Sequence, residues 1–469
     1  MLKEFNALPT LPLIGNAHLI FSKAEDRIKK LLELNSQYTT PFVFWFSYIP
    51  IVCVNKYKDI QVISNKSKMR DTLGTFKSIF GDGIILALPE KWKRTRKVIN
   101  TAFNPVMLQQ YLIVFNEQSE ILCRKLSAEA NTGKIIDMWQ YLCDINLDIV
   151  IENMAGIKLN IQENGQNEFS KLLMLSLKLE SSRFYQIWLY PDIIYRAYLR
   201  LTGHKDLYKT LYKFTKKVIE TKMKEYQIQK QKMLCDSSQT EEKPLRTLID
   251  LLLRIDDDNP DFTEQQIQEE IISMIAAGSE TTALSTAFTL LMLAIHEDAQ
   301  EKVYEEIQMV FKNDRYVQMD DLNQMKFLEQ CIKETLRMFT LIPITFRRAT
   351  EDITLNDNKI IPANCLIAIG YHGVHVDPDI YPNPYIWDPK RFSEINEISA
   401  FVPFGLGSRA CVGSKYAMFS TKTQLIHILR KYRIMTNITI EEVEINVDLL
   451  IRKKGGYPIK FLYRKNDER

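Results

Sequence analysis

From Glu264 to about His296 the chain runs without proline, and helical character persists throughout. At 1.5 Å per residue this is a helix of about 48 Å, unusually long for a globular protein. Thr263 stands as its N-cap, with Gln266 completing a capping box. The second half, Ile271 to Ile295, is nearly all apolar, apart from Ser279, Glu280, Thr281 and Thr282 at its middle. Its length suffices to cross a membrane. A central glutamate among hydroxyls argues against that and places the helix inside a domain.

The surrounding sequence supplies such a domain. Of 469 residues, 46% are hydrophobic and 25% charged, which allows a sizeable core. A net charge of +3 gives no case for nucleic acid as a partner. Residues 42 to 55 read as a hairpin broken at Tyr48-Ile49-Pro50, and 343 to 369 read as extended. Helical spacing dominates from Lys56 to about Leu253, and again over Met325 to Phe339 and Cys411 to about Tyr432. Cys235 to Lys243 reads as an exposed polar loop, and Tyr371 to Glu394 as a structured meander. Neither an internal repeat nor a linker divides the chain. The expectation is a single domain over 1–469, mainly α with a minor β portion. Residues 1–20 form a proline-stiffened arm with Pro9 and Pro12. No membrane anchor is visible there. The arm reads either as a plain extension or as the hinge after such an anchor.

Seven cysteines at irregular spacing, with no CxxC, exclude a disulfide framework and a zinc site. Cys53, Cys123, Cys143, Cys235, Cys331 and Cys365 read as small buried hydrophobes. Cys411 differs. It closes the stretch Phe401-Val402-Pro403-Phe404-Gly405-Leu406-Gly407-Ser408-Arg409-Ala410-Cys411-Val412-Gly413. Gly405, Gly407 and Gly413 let the backbone turn sharply and approach a flat ligand. A sulfur at a helix N-terminus, with Arg409 two residues earlier, is set up to be a thiolate. A nucleophilic cysteine would need a positioned histidine, which the sequence does not flag.

In the long helix, Met274, Gly278, Thr281 and Ser285 share one face. A mid-helix glycine costs about 1 kcal/mol relative to alanine, and a buried unpaired glutamate costs more. Their coincidence at Gly278 and Glu280 suggests a functional interruption, with Thr281 presenting its hydroxyl beside the gap. The plainer reading is a small-residue helix crossing.

Phe404, Gly407, Arg409, Cys411 and Gly413 form F-x-x-G-x-R-x-C-x-G, which resembles the haem-binding loop of the cytochrome P-450 superfamily. Ala277-Gly278-Ser279-Glu280-Thr281 resembles its oxygen-binding segment. Glu334 and Arg337 match its E-x-x-R, Pro389-Lys390-Arg391-Phe392 its P-x-R-F, and Trp92 with Arg96 its W-x-x-x-R. The motifs occur in the family's order along nearly the whole chain. The wording is most like the family 4 clan, in an arthropod microsomal form.

The resemblance implies a P-450 fold with haem b between the long distal helix and the proximal cysteine loop. Cys411 thiolate would ligate iron, which favours O–O cleavage. Phe404, Gly405 and Gly413 would shape the loop. Arg409, Trp92, Arg96 and Arg347 would reach the propionates, with Arg348 beside Arg347 as the competing choice. Thr281 would hydrogen-bond dioxygen beside Gly278, and Glu280 would help relay protons. Glu334, Arg337 and Arg391 would form a structural triad. Thr340 replaces a frequent proline, Lys390 a usual acid and Trp387 a usual phenylalanine. Ala277 replaces the glutamate that tethers haem in many family 4 proteins, so the haem is expected to be non-covalent.

The implied activity is monooxygenation of a small lipophilic substrate held near Met274 and Ala277. Residues 69–88 and 175–201 would shape its pocket. The implied electron donor is a separate NADPH-cytochrome P-450 reductase, with cytochrome b5 as a candidate second donor. Lys91, Lys93, Arg94 and Lys97 would steer it. The implied location is the cytoplasmic face of the endoplasmic reticulum membrane. Two rival readings are a haem-thiolate isomerase or dehydratase that needs no NADPH, and an inactive haem-free binding protein.

Overall fold

The aromatic and β-branched run pairs where the sequence places a hairpin. Strands β1 (Phe42–Phe46) and β2 (Ile49–Val54) are antiparallel, with Phe42 opposite Cys53. This computed structural model describes residues 2–19, 26, 30, 33–34, 38, 40–67, 69–72, 74–165, 168–235, 247–258, 263–393 and 399–464. Helix α1 (Tyr57–Lys66) follows. Helices α2 (Pro89–Thr101) and α3 (Pro105–Leu126) each start with proline in the first turn, where its missing N–H is not needed. Then come α4 (Trp139–Ala155), α5 (Glu168–Tyr185), α6 (Leu207–Cys235) and the long α7 (Glu264–Ile295). Beyond it lie α8 (Lys326–Met338), β3 (Ile344–Arg348), β4 (Leu366–Gly370), α9 (Ser414–Lys431) and the hairpin β5 (Ile445–Val447) with β6 (Ile451–Lys453).

Helices hold 58% of the chain and strands 12%, so the fold is mainly α, as expected. The main sheet joins the N-terminal strands to residues 344–370. β2 pairs with β4 in parallel, β4 pairs with β3, and the short strand Met69–Arg70 closes the edge against β3. The polar loop expected at 235–243 lies outside the described residues from position 236 onward, as does the side chain of Cys235.

Helix α7 is the axis of the core. Its capping box forms as read: Thr263 Oγ1 accepts the Gln266 N–H, and the Gln266 side chain accepts the Thr263 N–H at 3.0 Å. Ile271, Ile272, Ala283, Leu284, Phe288 and Leu291 are wholly buried. Among the described residues no helix is long and apolar enough to cross a membrane.

Two glutamates in the first half of α7 are also buried, and both hold the segment before α2. Glu269 accepts the Asp82 N–H at 3.1 Å, and Glu270 accepts the Ile84 N–H at 2.9 Å. Lys91 reaches Glu269 at 3.7 Å. Lys91 is therefore engaged within the fold and drops out of the basic group expected to steer a donor, while Lys93, Arg94 and Lys97 stay exposed.

Candidate active site

A cavity of about 510 Å³ lies between α7 and the 403–413 loop. The loop's shape follows from its glycines. Gly405 and Gly407 have φ of 76° and 71°, where a side chain would be strained. At Gly407 a Cβ would also sit 2.6 Å from the Ser64 carbonyl of α1, so that glycine serves packing against α1. Gly413 corrects the sequence reading. Its φ is −90°, and a Cβ there would meet only ordinary contacts, the nearest 3.8 Å away on Phe103.

Phe404 accepts the Cys411 N–H through its carbonyl at 2.8 Å. The accessible surface of Cys411 faces the cavity. The expectation that the loop alone favours thiolate is not met, because burial pushes the thiol up. The Gly413 N–H and the charges of Arg96 and Arg70 oppose that shift without overcoming it. Two facts explain the difference. The helix begins at Ser414, three positions past the sulfur, and Arg409 turns away from it. Its Nη2 donates to the Ala87 carbonyl at 2.6 Å, and its guanidinium lies 4.4 Å from the Trp92 ring centre. A metal bound at Cys411 would deprotonate the thiol outright.

One edge of the cavity gathers positive charge. The register of the edge strand sets Arg70 directly opposite Arg347. Like charges so placed are destabilising. Each has a buried Nε with no hydrogen-bond partner. Arg96, whose Nη1 donates to the Ala410 carbonyl at 2.8 Å, and Arg409 complete the group. Burial first, then Arg70, pushes Arg347 down to about 10. Burial, then Arg70, Arg347 and Arg96, pushes Arg409 down to about 9. Arg348 is turned outward onto Asp71 at 2.6 Å, so Arg347 is the arginine that faces the cavity. A group carrying two carboxylates fits this edge, and the Cys411 sulfur on the same cavity could serve as a ligand to it. The residues present therefore suit haem.

On the opposite wall Thr281 donates its hydroxyl to the Ala277 carbonyl at 2.6 Å. Met274, Ala277, Gly278, Glu280 and Thr281 all line the cavity. Gly278 has a second reason to be glycine. A Cβ there would lie 2.9 Å from Val150 Cγ2, so α7 crosses α4 at this point. The plainer sequence reading, a small-residue crossing, thus holds together with cavity lining. Ser285 turns away and meets Thr421 of α9 at 3.4 Å. Glu280 is not an unpaired buried charge, since it bonds to Arg452 of β6. Arg452 in turn lies over the Trp139 ring at 5.2 Å.

Behind the loop, Arg337 Nε and Nη2 bond both oxygens of Glu334 at 2.7 and 2.8 Å, and both side chains are wholly buried. Arg391 Nε lies 3.3 Å from the same carboxylate. Trp387 uses the indole N–H that phenylalanine would lack, donating to Thr335 Oγ1 at 3.1 Å. The structure brings Glu334, Arg337 and Arg391 together.

The family described as Cytochrome P450 matches residues 6–461. The chain belongs to the cytochrome P450 family. Membership makes it a P450 monooxygenase. Among similar P450 proteins, cytochrome P450 4c21 of Blattella germanica is 29% identical over 459 residues, covering 96% of this chain and 91% of that one. Cytochrome P450 4V2 of Homo sapiens is 29% identical over 486 residues, covering 100% and 92%. Cytochrome P450 4c3 of Drosophila melanogaster is 27% identical, covering 97% and 88%. The likeness to the family 4 clan read from the sequence agrees with these P450 relatives.

Sequence reasoning gave several residues of this P450 site no specific role. Arg70 reaches it through a two-residue strand paired far along the chain. Tyr371 and His372 line the cavity with a buried Oη and Nδ1 that lack partners. Val447 to Leu450, at the β5–β6 turn, form part of its wall. No local motif marks any of them.

Proposed function

We propose that this P450 binds haem b non-covalently through Cys411 and hydroxylates a small lipophilic substrate in one domain spanning 1–469. The observation that carries the reading is Cys411 facing a cavity whose rim sets Arg70 against Arg347. Bound haem supplies the activation of dioxygen. Arg409, Arg96 and Arg347, with Arg70, hold its propionates, and Trp92 supports Arg409. Phe404 and Gly405 shape the loop around the sulfur, and the Gly413 N–H faces it. The wall of Phe76, Phe80, Ile84, Phe184, Met274 and Leu341 excludes water and selects an apolar substrate. The Thr281 hydroxyl stands one hydrogen bond from the Ala277 carbonyl and can turn to donate into the cavity. Glu280 can pass a proton once it parts from Arg452. Glu334, Arg337 and Arg391 keep the loop in place.

Electrons come from a separate NADPH-dependent reductase, docked by Lys93, Arg94 and Lys97. Cytochrome b5 is a second candidate for the same surface. Exposed Leu13, Tyr48, Trp188, Ile193 and Leu201 support a membrane-facing surface. The arm and the hairpin turn adjoin, since Ser47 donates to the Leu13 carbonyl at 2.8 Å, and Tyr190 packs on Phe46. The endoplasmic reticulum membrane is the proposed location.

The test is the absorbance of the reduced, carbon-monoxide-bound protein, followed by NADPH-dependent turnover. A strongly red-shifted Soret band with NADPH-dependent substrate loss is expected. A band at the histidine-haem position overturns the Cys411 assignment. A thiolate band with NADPH-independent rearrangement of peroxides favours the isomerase.

A further inference from the structure

Thr340 stands just past α8, where the family resemblance leads one to expect proline. In the structure its hydroxyl is buried and engaged on both sides. On one side it donates to the Arg337 carbonyl at 3.0 Å. On the other it lies 2.7 Å from Nδ1 of His375, a histidine the sequence reading did not single out. His375 is wholly buried, and its Nε2 accepts the Val402 N–H at 2.9 Å.

These contacts have one consistent direction. A backbone N–H can only donate, so Nε2 must carry a free lone pair. Burial, His372 and Arg337 push His375 well below the usual histidine range, so the ring is neutral. Its proton is then on Nδ1 and points at Thr340 Oγ1. The hydroxyl accepts that hydrogen bond and donates its own to the Arg337 carbonyl. The return contact is the Arg337 guanidinium, whose Nη1 donates to the His375 carbonyl at 2.8 Å. Val402 in turn opens the cysteine loop: its carbonyl accepts the Gly405 N–H at 3.0 Å, and Phe404 accepts the Cys411 N–H at 2.8 Å.

We propose that Thr340 is a positioning residue: it fixes the Nδ1–H tautomer of His375, and through it ties the Glu334–Arg337 pair to the start of the Cys411 loop. Proline at 340 would offer no hydroxyl, leaving Nδ1–H without this acceptor. The threonine replaces that gap with a directional chain, Val402 to His375 to Thr340 to Arg337. Its consequence is a loop held in register with the triad, so that the sulfur keeps its place beneath the cavity. The inference rests on Cys411 as the haem ligand.

The experiment uses full-length protein with nitrogen-15 histidine, reduced and carbon-monoxide-bound so that the iron is diamagnetic. His375→Gln identifies the His375 signals. Wild type should show the Nδ1–H tautomer, the less common form of free histidine. Thr340→Val should shift or broaden that signal. It should also speed loss of the thiolate Soret band on warming by about tenfold, the scale of one orphaned buried donor. Thr340→Ser should restore both. An Nε2–H tautomer in wild type overturns the proposal, as does a Thr340→Val protein with wild-type spectra and wild-type band loss. If Thr340→Val holds no haem, Thr340→Ser decides: wild-type behaviour supports the relay, and loss of haem there overturns it. A wild type with haem but no thiolate band defeats the Cys411 reading instead, while the His375 tautomer still tests the relay.

Discussion

Replacing Gly278 by alanine separates the two reasons for a glycine in the middle of α7. The added Cβ would lie 2.9 Å from Val150 Cγ2. Val150 is β-branched and stiff in a helix, so it cannot swing away freely. Overpacking of this kind costs about 1–3 kcal/mol. Alanine returns about 1 kcal/mol through better helix propensity. The net expectation for Gly278→Ala is a loss of about 0–2 kcal/mol. In a Val150→Ala background the clash is gone, and only the propensity gain of about 1 kcal/mol remains. The two substitutions should therefore couple by about 1–3 kcal/mol in a double-mutant cycle. Denaturant unfolding followed by circular dichroism measures this as a shift in midpoint at constant slope. Equal effects of Gly278→Ala in both backgrounds would refute the packing argument. A changed haem spectrum with unchanged stability would instead assign the glycine wholly to the cavity side.

Three further outcomes follow from the same geometry. Arg70→Gln removes one of two opposed guanidinium groups, so haem-free protein should unfold at higher denaturant while haem-loaded protein releases haem faster; matched apo and holo measurements check the opposite signs. Burial pushes the Glu270 carboxyl up to about 8. A carboxyl raised in the folded state contributes stability that is full below its unfolded value near 4.5 and is lost as pH rises to about 8. Glu270→Gln should flatten that decline and be the more stable protein above pH 8, and parallel slopes for the two proteins would sink the assignment. Charge reversal at Lys93 and Arg94, with Lys91 left on Glu269, should slow reductase-driven reduction and weaken its salt dependence; an unchanged rate in stopped-flow removes that docking surface.

Much of the site was legible because it is local. The cysteine loop, the Gly278–Thr281 segment and the Glu334/Arg337 spacing each lie within one turn or one helix, where chain geometry fixes neighbours. The capping box at Thr263 and the hairpin at 42–55 were readable for the same reason. The same locality misled at Cys411. Proximity in sequence to Arg409 suggested a charge partner, yet that side chain turns to the Ala87 carbonyl and lies over Trp92.

The sequence by itself determined the family, the mainly helical fold and the cysteine loop that carries Cys411. Each rests on residue type at short fixed spacing, which folding cannot rearrange. Only the tertiary structure decided which charges meet. Arg70 faces Arg347 because an edge strand pairs across the sheet, and Glu280 meets Arg452 because a late hairpin folds back on α7. Thr340 meets His375 because the residues just past α8 pack on the short helix Tyr371–His375 behind the loop. Hydrogen bonds and Coulomb forces act over a few ångströms of space, and the sequence holds those distances only after the chain has closed on itself.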